Sequence, residues 1–420
     1  MRETREKVEK KKRESLEAVH TSSFNKQIKN EAAITLVALV VTIIVLILLA
    51  GVSISLVIGN NGIMQKAAKG REDYTGAAIN EQQDLNKIED YIEDNTSNKS
   101  EVEKYRKSGK YFESPTTIKD ENENEIKVPQ GFKIAQDSGV NVTEGIVIED
   151  NDIKEGIGNN RGNQYVWVPV GNGIKKSDGT TVDITLGRYT FASDGTPTLK
   201  QDAANYTQEV IISLYWKELA ISRAGVASSG LDGLNTTALN LKGFVDSVKA
   251  NGGYYIARYE ASYGTDGKAN SKVSNTYGYS TPNKEGELWN SITQINAATA
   301  SRNLYVEVNS DLINSYAWDT AIVYIQNFSG DIDYSKPTSL NTNLANTGAN
   351  NDEKCKINDM ASNTAEWTTE YCTYTSNSDS YPCTLRGGTY INSNLYTVSR
   401  NYNVDTNGYN YISFRCVLYM

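Results

Sequence analysis

Ile357-Asn358-Asp359-Met360-Ala361-Ser362-Asn363-Thr364-Ala365-Glu366-Trp367-Thr368 is the stretch on which the reading of this chain turns. Downstream come Leu385-Arg386-Gly387-Gly388-Thr389-Tyr390, then Arg400, then Ile412-Ser413-Phe414-Arg415-Cys416. Trp367 reads as a core anchor, since a large aromatic ring carries much apolar area. Gly387 and Gly388 permit a tight backbone path where a strand meets a loop. Glu366, Arg386 and Arg415 are expected in buried charge pairs, because an isolated buried charge costs several kcal/mol. The sequence does not say which of them partners which.

Working upstream, short apolar or alternating runs from Val128 onward are broken by Gly, Asn and Asp. Residues 145–148, 165–170 and 253–259 read as strands. Helices are expected over 238–250 and over 315–327, where Trp318, Ile322 and Ile325 share one face. All five tryptophans lie in this region. The expected class is α+β, with short strands, few helices and much irregular loop.

Working downstream, residues 387–418 contain no Lys, Glu, Gln, Met or Trp. They are rich in Asn and Tyr: Tyr390, Asn392, Asn394, Tyr396, Asn401, Tyr402, Asn403, Asn407, Tyr409, Asn410 and Tyr411, with Asp405 among them. These are the candidate ligand-binding residues. Tyr supplies rigid amphipathic contact area, and Asn and Ser supply adjustable hydrogen bonds. All four cysteines, Cys355, Cys372, Cys383 and Cys416, also lie late in the chain. An even count in an exported domain permits two disulfides in three pairings. Cys372 and Cys383 flank a short loop that a bridge could close, leaving Cys355 for Cys416. Four buried thiols are the other reading.

At the other end, Ala32 to Ile58 is a run of 27 residues without a charge. As a helix it would reach ~40 Å, enough to cross a hydrocarbon core of about 30 Å. The leader before it, Met1 to Glu31, has nine Lys/Arg against six Glu. The positive-inside bias puts that leader in the cytoplasm and the rest outside, as a single-pass cell-surface protein. The remainder holds 33 basic and 45 acidic residues, a poor electrostatic match for nucleic acid. The domains expected are a leader over 1–33, a membrane and amphipathic helix over 34–93, a linker or peripheral hairpin over 94–127 and a head over 128–420.

Three resemblances follow from these residues. Residues 33–42 resemble the N-terminus of type IV prepilins, which implies cleavage between Ala33 and Ile34 by a prepilin peptidase, and other pilins as partners. Ala33 stands where that family has Gly, and Ala38 where it has Glu. The late motifs, with Glu260, Trp318, Asp359, Asn363, Arg400 and Phe414, resemble the formylglycine-generating-enzyme or sulfatase-modifying-factor family. That resemblance implies a C-type-lectin-like fold over the head. The tail alphabet is what scrambled adenines in Asn- and Tyr-type codons give, and resembles the variable proteins of diversity-generating retroelements.

Catalysis is not expected. Asn392 and Thr397 stand where the oxidase branch of the family has its two cysteines, and neither can bind copper as a soft ligand. The chain's one histidine, His20, lies in the leader. That count removes His-ligated metals and Ser-His-Asp hydrolysis. No cofactor is expected. Calcium held by Asp, Asn and backbone oxygens is compatible with the composition, with no site located. The expectation is a non-catalytic recognition domain, its partner a protein or glycan on another cell or phage surface. The rivals are a structural minor pilin or pseudopilin and a degenerate sulfatase-modifying-factor-type enzyme.

Overall fold

In the computed structural model the described residues are 37–49, 81–82, 85, 88 and 99–420, save 204–208, 212–215, 220–239, 279–282, 337–342, 373–382, 393 and 404–407. The chain divides into two units, Met1–Glu93 and Asp94–Met420. In the first, residues 37–49 are helical. At 1.5 Å per residue the described helical residues cover about 20 Å, against the ~30 Å of a hydrocarbon core. Among the described residues no helix is long and apolar enough to cross a membrane. The expected membrane helix, and the single-pass anchoring built on it, are corrected accordingly. The cleavage pair Ala33 and Ile34 lies outside the described residues.

The second unit is a mixed architecture of short helices and many strands. Ser100 caps α1 (Glu101–Ser108), its hydroxyl accepting from the Glu103 N–H at 3.2 Å. An antiparallel hairpin follows, β1 (Thr116–Lys119) and β2 (Glu125–Val128). Val102, Phe112, Ile118 and Ile126 are buried in the main core. From residue 99 onward, the stretch expected as a linker or peripheral hairpin holds a helix and a hairpin, with buried residues in the core.

The chain continues through β3 (Lys133–Ile134), β4 (Val147–Glu149) and β5 (Gln164–Pro169). Two hairpins come next: β6 (Gly171–Lys175) with β7 (Thr181–Ile184), and β8 (Gly187–Phe191) with β9 (Pro197–Asp202). Then come β10 (Glu209–Ile211), β11 (Trp216–Leu219), α2 (Leu241–Asn251), β12 (Gly253–Ala257) and the short pair β13 (Ser262–Tyr263) and β14 (Ala269–Asn270). The C-terminal third holds α3 (Gln294–Ser301), β15 (Asn309–Leu312), α4 (Ser315–Phe328), β16 (Ala365–Cys372), β17 (Cys383–Arg386), β18 (Arg400–Asn403), β19 (Ile412–Phe414) and β20 (Cys416–Tyr419).

Two six-stranded sheets organise the unit. One is antiparallel, in the order β15-β20-β12-β5-β4-β3. The other runs β10-β11-β16-β17-β18, with β19 lying parallel to β16. The chain leaves the second sheet at Phe414 and joins the first at Cys416, so Arg415 is the single residue between them. The first sheet packs with α2 and α4 around Trp167, Tyr255 and Trp318. The second packs with α3 around Trp289, Trp367 and Phe414.

Helix α4 starts where Asn314 accepts from the Ala317 N–H at 3.0 Å. It was expected to bury one face. Instead all but one of its residues are buried, Asn327 excepted. Its polar members are paired inside: Asp319 accepts from the Tyr189 N–H at 2.9 Å, and the Thr320 hydroxyl accepts from the Gly187 N–H at 3.1 Å.

No disulfide forms among the described residues, and all four cysteines are buried thiols. The strand register explains why. Cys383 stands opposite Tyr371, not Cys372, so Cys372 points to the other face of the sheet. Cys383 instead donates to Gln294 Oε1 at 3.0 Å. Cys355 and Cys416 belong to different cores. Burial pushes each of those two thiols up to about 12.

Candidate ligand-binding face

The motif residues of the C-terminal third assemble into two buried charge clusters. In the first, Arg386 reaches Asp319 at 2.6 Å and Glu370 at 3.4 Å. Arg400 reaches Asp319 at 2.6 Å and Glu370 at 3.1 Å, and Arg188 also pairs with Glu370. Burial works to raise the Asp319 pKa, but the guanidiniums of Arg386 and Arg400 outweigh it and hold the carboxyl below its usual range. Burial, and then the neighbouring Arg400, lower that of Arg386. Arg386 also donates to the Ser399 carbonyl at 3.1 Å, which fixes the chain just before β18.

The second cluster centres on Arg415. Its guanidinium binds Glu366, with Nε at 2.7 Å from Oε2, and donates to the carbonyls of Ala257 at 3.2 Å and Asn358 at 2.9 Å. It therefore ties the end of β12 to β16, one in each sheet. Nearby, Glu260 accepts from the Thr364 N–H at 3.0 Å and from the side chains of Thr364 and Asn363. Asp359, at φ 63°, accepts from the Gly348 N–H, while its Oδ1 is buried with no partner among the described residues. Burial pushes Asp352 up to about 6 and Asp359 up to about 7. Glu260 is raised well above the carboxylate range by burial, with Asp359 and Glu366 adding to it.

Trp318 stands between the clusters, its ring 5.5 Å from the Arg386 guanidinium carbon and 6.0 Å from that of Arg415. Its indole N–H donates to the Thr397 carbonyl at 2.9 Å. Trp367 donates to the Ile292 carbonyl at 2.8 Å. Gly387 and Gly388 run against Met360 and Ala361, and a Cβ on Gly388 would lie 2.0 Å from the Ala361 carbonyl oxygen. Gly388→Ala should therefore cost about 1–3 kcal/mol, the usual range for overpacking. Urea denaturation measures it; an unchanged midpoint would show that the Ala361 backbone yields freely.

These anchors hold the Asn/Tyr-rich tail. Thr397 is buried and donates to the Tyr334 carbonyl at 2.6 Å. Between anchors the candidate residues reach the surface. Asn392, Asn394 and Asn410 are exposed; Tyr390, Tyr396, Asn401, Tyr402, Asn403, Tyr409 and Tyr411 are half-buried. Asp405 and Asn407 lie outside the described residues. The Tyr390 N–H donates to the Asn363 carbonyl at 2.9 Å, and the Ala365 N–H to the Tyr411 carbonyl at 3.0 Å. The segments around 390 and 411 thus meet at residues 363–365. Tyr409 and Tyr411 stack with ring centroids 5.2 Å apart.

A cavity of about 290 Å³ adjoins this place, lined by Trp289, Ser291, Thr293 and Asn296 among others. The Ser291 N–H donates to the Tyr409 carbonyl at 3.0 Å, and the Asn290 side chain to the Asn410 carbonyl at 2.8 Å. The sequence reading missed this cavity, and also Arg188, Asp319 and Glu370. Asp319 sits beside Trp318, which was singled out; Arg188 has no local signal.

Asn392 is exposed, and the Thr397 hydroxyl is engaged with Tyr334. Among the described residues no group of His, Cys, Asp and Glu is arranged to hold a metal ion. No protein-family model, curated protein or solved structure gives a significant match to this chain. The pilin, C-type-lectin and sulfatase-modifying-factor descriptions thus have no family support and are withdrawn as descriptions of the chain.

Proposed function

We propose that this chain is a non-catalytic recognition protein that binds a protein or glycan surface through its C-terminal Asn/Tyr-rich face. The observation that carries the reading is the alternation along residues 387–418. Buried anchors at Gly388, Thr397, Phe414 and Arg415 fix the backbone, and exposed or half-buried Asn and Tyr stand between them. A preorganised backbone lowers the ordering cost of binding. Stacked tyrosines beside a cavity supply area at low entropic cost.

The test is a screen of the full chain against arrayed glycans and cell-surface proteins, followed by Tyr402→Ala and Tyr409→Ala. Each should weaken the interaction found by tenfold or more, within the range of interface hot spots. Thermal stability should stay close to that of the parent chain for Tyr402→Ala and fall modestly for Tyr409→Ala, whose ring packs against the second core, with both variants still folded. If both variants bind as the parent does, the face is wrongly assigned.

A further inference from the structure

A second cavity, about 300 Å³ in volume, lies between the β13–β14 turn and the loop after β4. Asp152, Lys154, Asp266, Lys268, Asn270 and Tyr305 are among its lining residues. Three observations give it a character. First, Asn270 is buried, at 7% exposure, and its Nδ2 has no hydrogen-bond partner among the described residues. A buried unsatisfied donor costs about 1–3 kcal/mol, and a turn of the Asn270 amide toward the cavity it lines would let an acceptor there recover it.

Second, most of the charges around the cavity are answered in place. Lys154 pairs with Glu285 and stands 3.8 Å from Asp152. Lys272 sits 2.9 Å from Asp152. Asp150 accepts from Asn163 at 2.7 and 2.8 Å and from the Tyr305 hydroxyl at 2.6 Å. Lys268 donates to the Asn303 carbonyl at 2.9 Å, and Asp266 lies two residues from it on the same exposed turn. A net-charged ligand would meet both signs at once. A hydroxyl both donates and accepts, so it can use carboxylate, ammonium and amide neighbours together.

Third, the volume is at the small end for ligand cavities, and Leu304 and Ala269 add apolar wall. We infer that this cavity binds a neutral polyhydroxylated ligand the size of one sugar ring, with Asn270 donating to a ring or hydroxyl oxygen. The site shares no lining residue with the tail face, so the two assignments stand or fall separately.

The experiment is saturation-transfer NMR on the full chain with glucose, galactose, mannose and N-acetylglucosamine. Acetate and methylammonium serve as charged controls, each probe at up to about 20 mM, as millimolar affinities require. At least one neutral sugar should receive saturation. The effect should fall at least fivefold in Asn270→Ala and stay unchanged in Tyr409→Ala. Because Asn270 is buried, a second variant, Asp266→Ala with Lys268→Ala on the exposed turn, should weaken the same signal without disturbing the fold. The inference is overturned if no neutral sugar binds, if the charged controls bind better, or if the signal survives both sets of substitutions.

Discussion

Arg386→Ala should destabilise the second unit by about 3–5 kcal/mol, the cost of leaving partners of a buried ion pair unanswered. Arg386 is completely buried and serves both Asp319 and Glu370. Without it, two carboxylates share Arg188 and Arg400, and the Ser399 carbonyl loses its donor. Arg386→Lys should fall between, since an ammonium keeps the charge but not the planar fork. Denaturant titration gives both values. A loss below about 1 kcal/mol for the alanine variant, typical of a surface ion pair, would mean that the cluster adds little to stability.

Stability should also fall as pH rises from about 4 to about 7. Asp352 and Asp359 are pushed up by burial to about 6 and about 7, and Glu260 and Glu366 are raised with them. In the unfolded chain such carboxyls titrate near 4. Within that window the folded chain binds more protons, so the slope of stability against pH is negative. One unit of displacement corresponds to about 1.4 kcal/mol, so Asp359 alone contributes on the order of 4 kcal/mol at the acid end of the window. Asp319 is displaced the other way, and its contribution is lost as pH drops below about 4. The optimum should therefore sit near pH 4, where the two trends cross. Asp359→Asn keeps an acceptor for the Gly348 N–H but cannot titrate, and should flatten the profile between pH 5 and 7. Melting curves at pH 5 and 8 decide it; equal stability at both, in parent and variant, would falsify the account.

Elements fixed by local chemistry were legible in the sequence. Helix α2 was expected over 238–250 and spans Leu241–Asn251; α4 was expected over 315–327 and spans Ser315–Phe328. The core role of Trp367 and the need to pair Glu366, Arg386 and Arg415 could also be read, because they follow from burial cost. Which groups pair could not. Arg386 and Asp319 are 67 residues apart, and Tyr189 and Asp319 are 130 apart, so only the fold joins them. The packing of residues 99–127 into the core was not legible, because their buried residues are few and separated by polar ones. The hairpin strands are four residues each, too short for alternation to stand out. The cysteine bridge failed on register, which places neighbours in sequence on opposite faces.

Arg415 and its two flanking strands carry a consequence for biosynthesis. β19 completes one sheet and β20 is inserted between β12 and β15 of the other, so both are finished by residues 412–419. A nascent chain made as far as Asn403 holds two open sheets and lacks the guanidinium that Glu366 needs. These pairings span long sequence separations, which slows folding. Vectorial emergence from the ribosome thus cannot close this unit piece by piece; closure waits for the final strands.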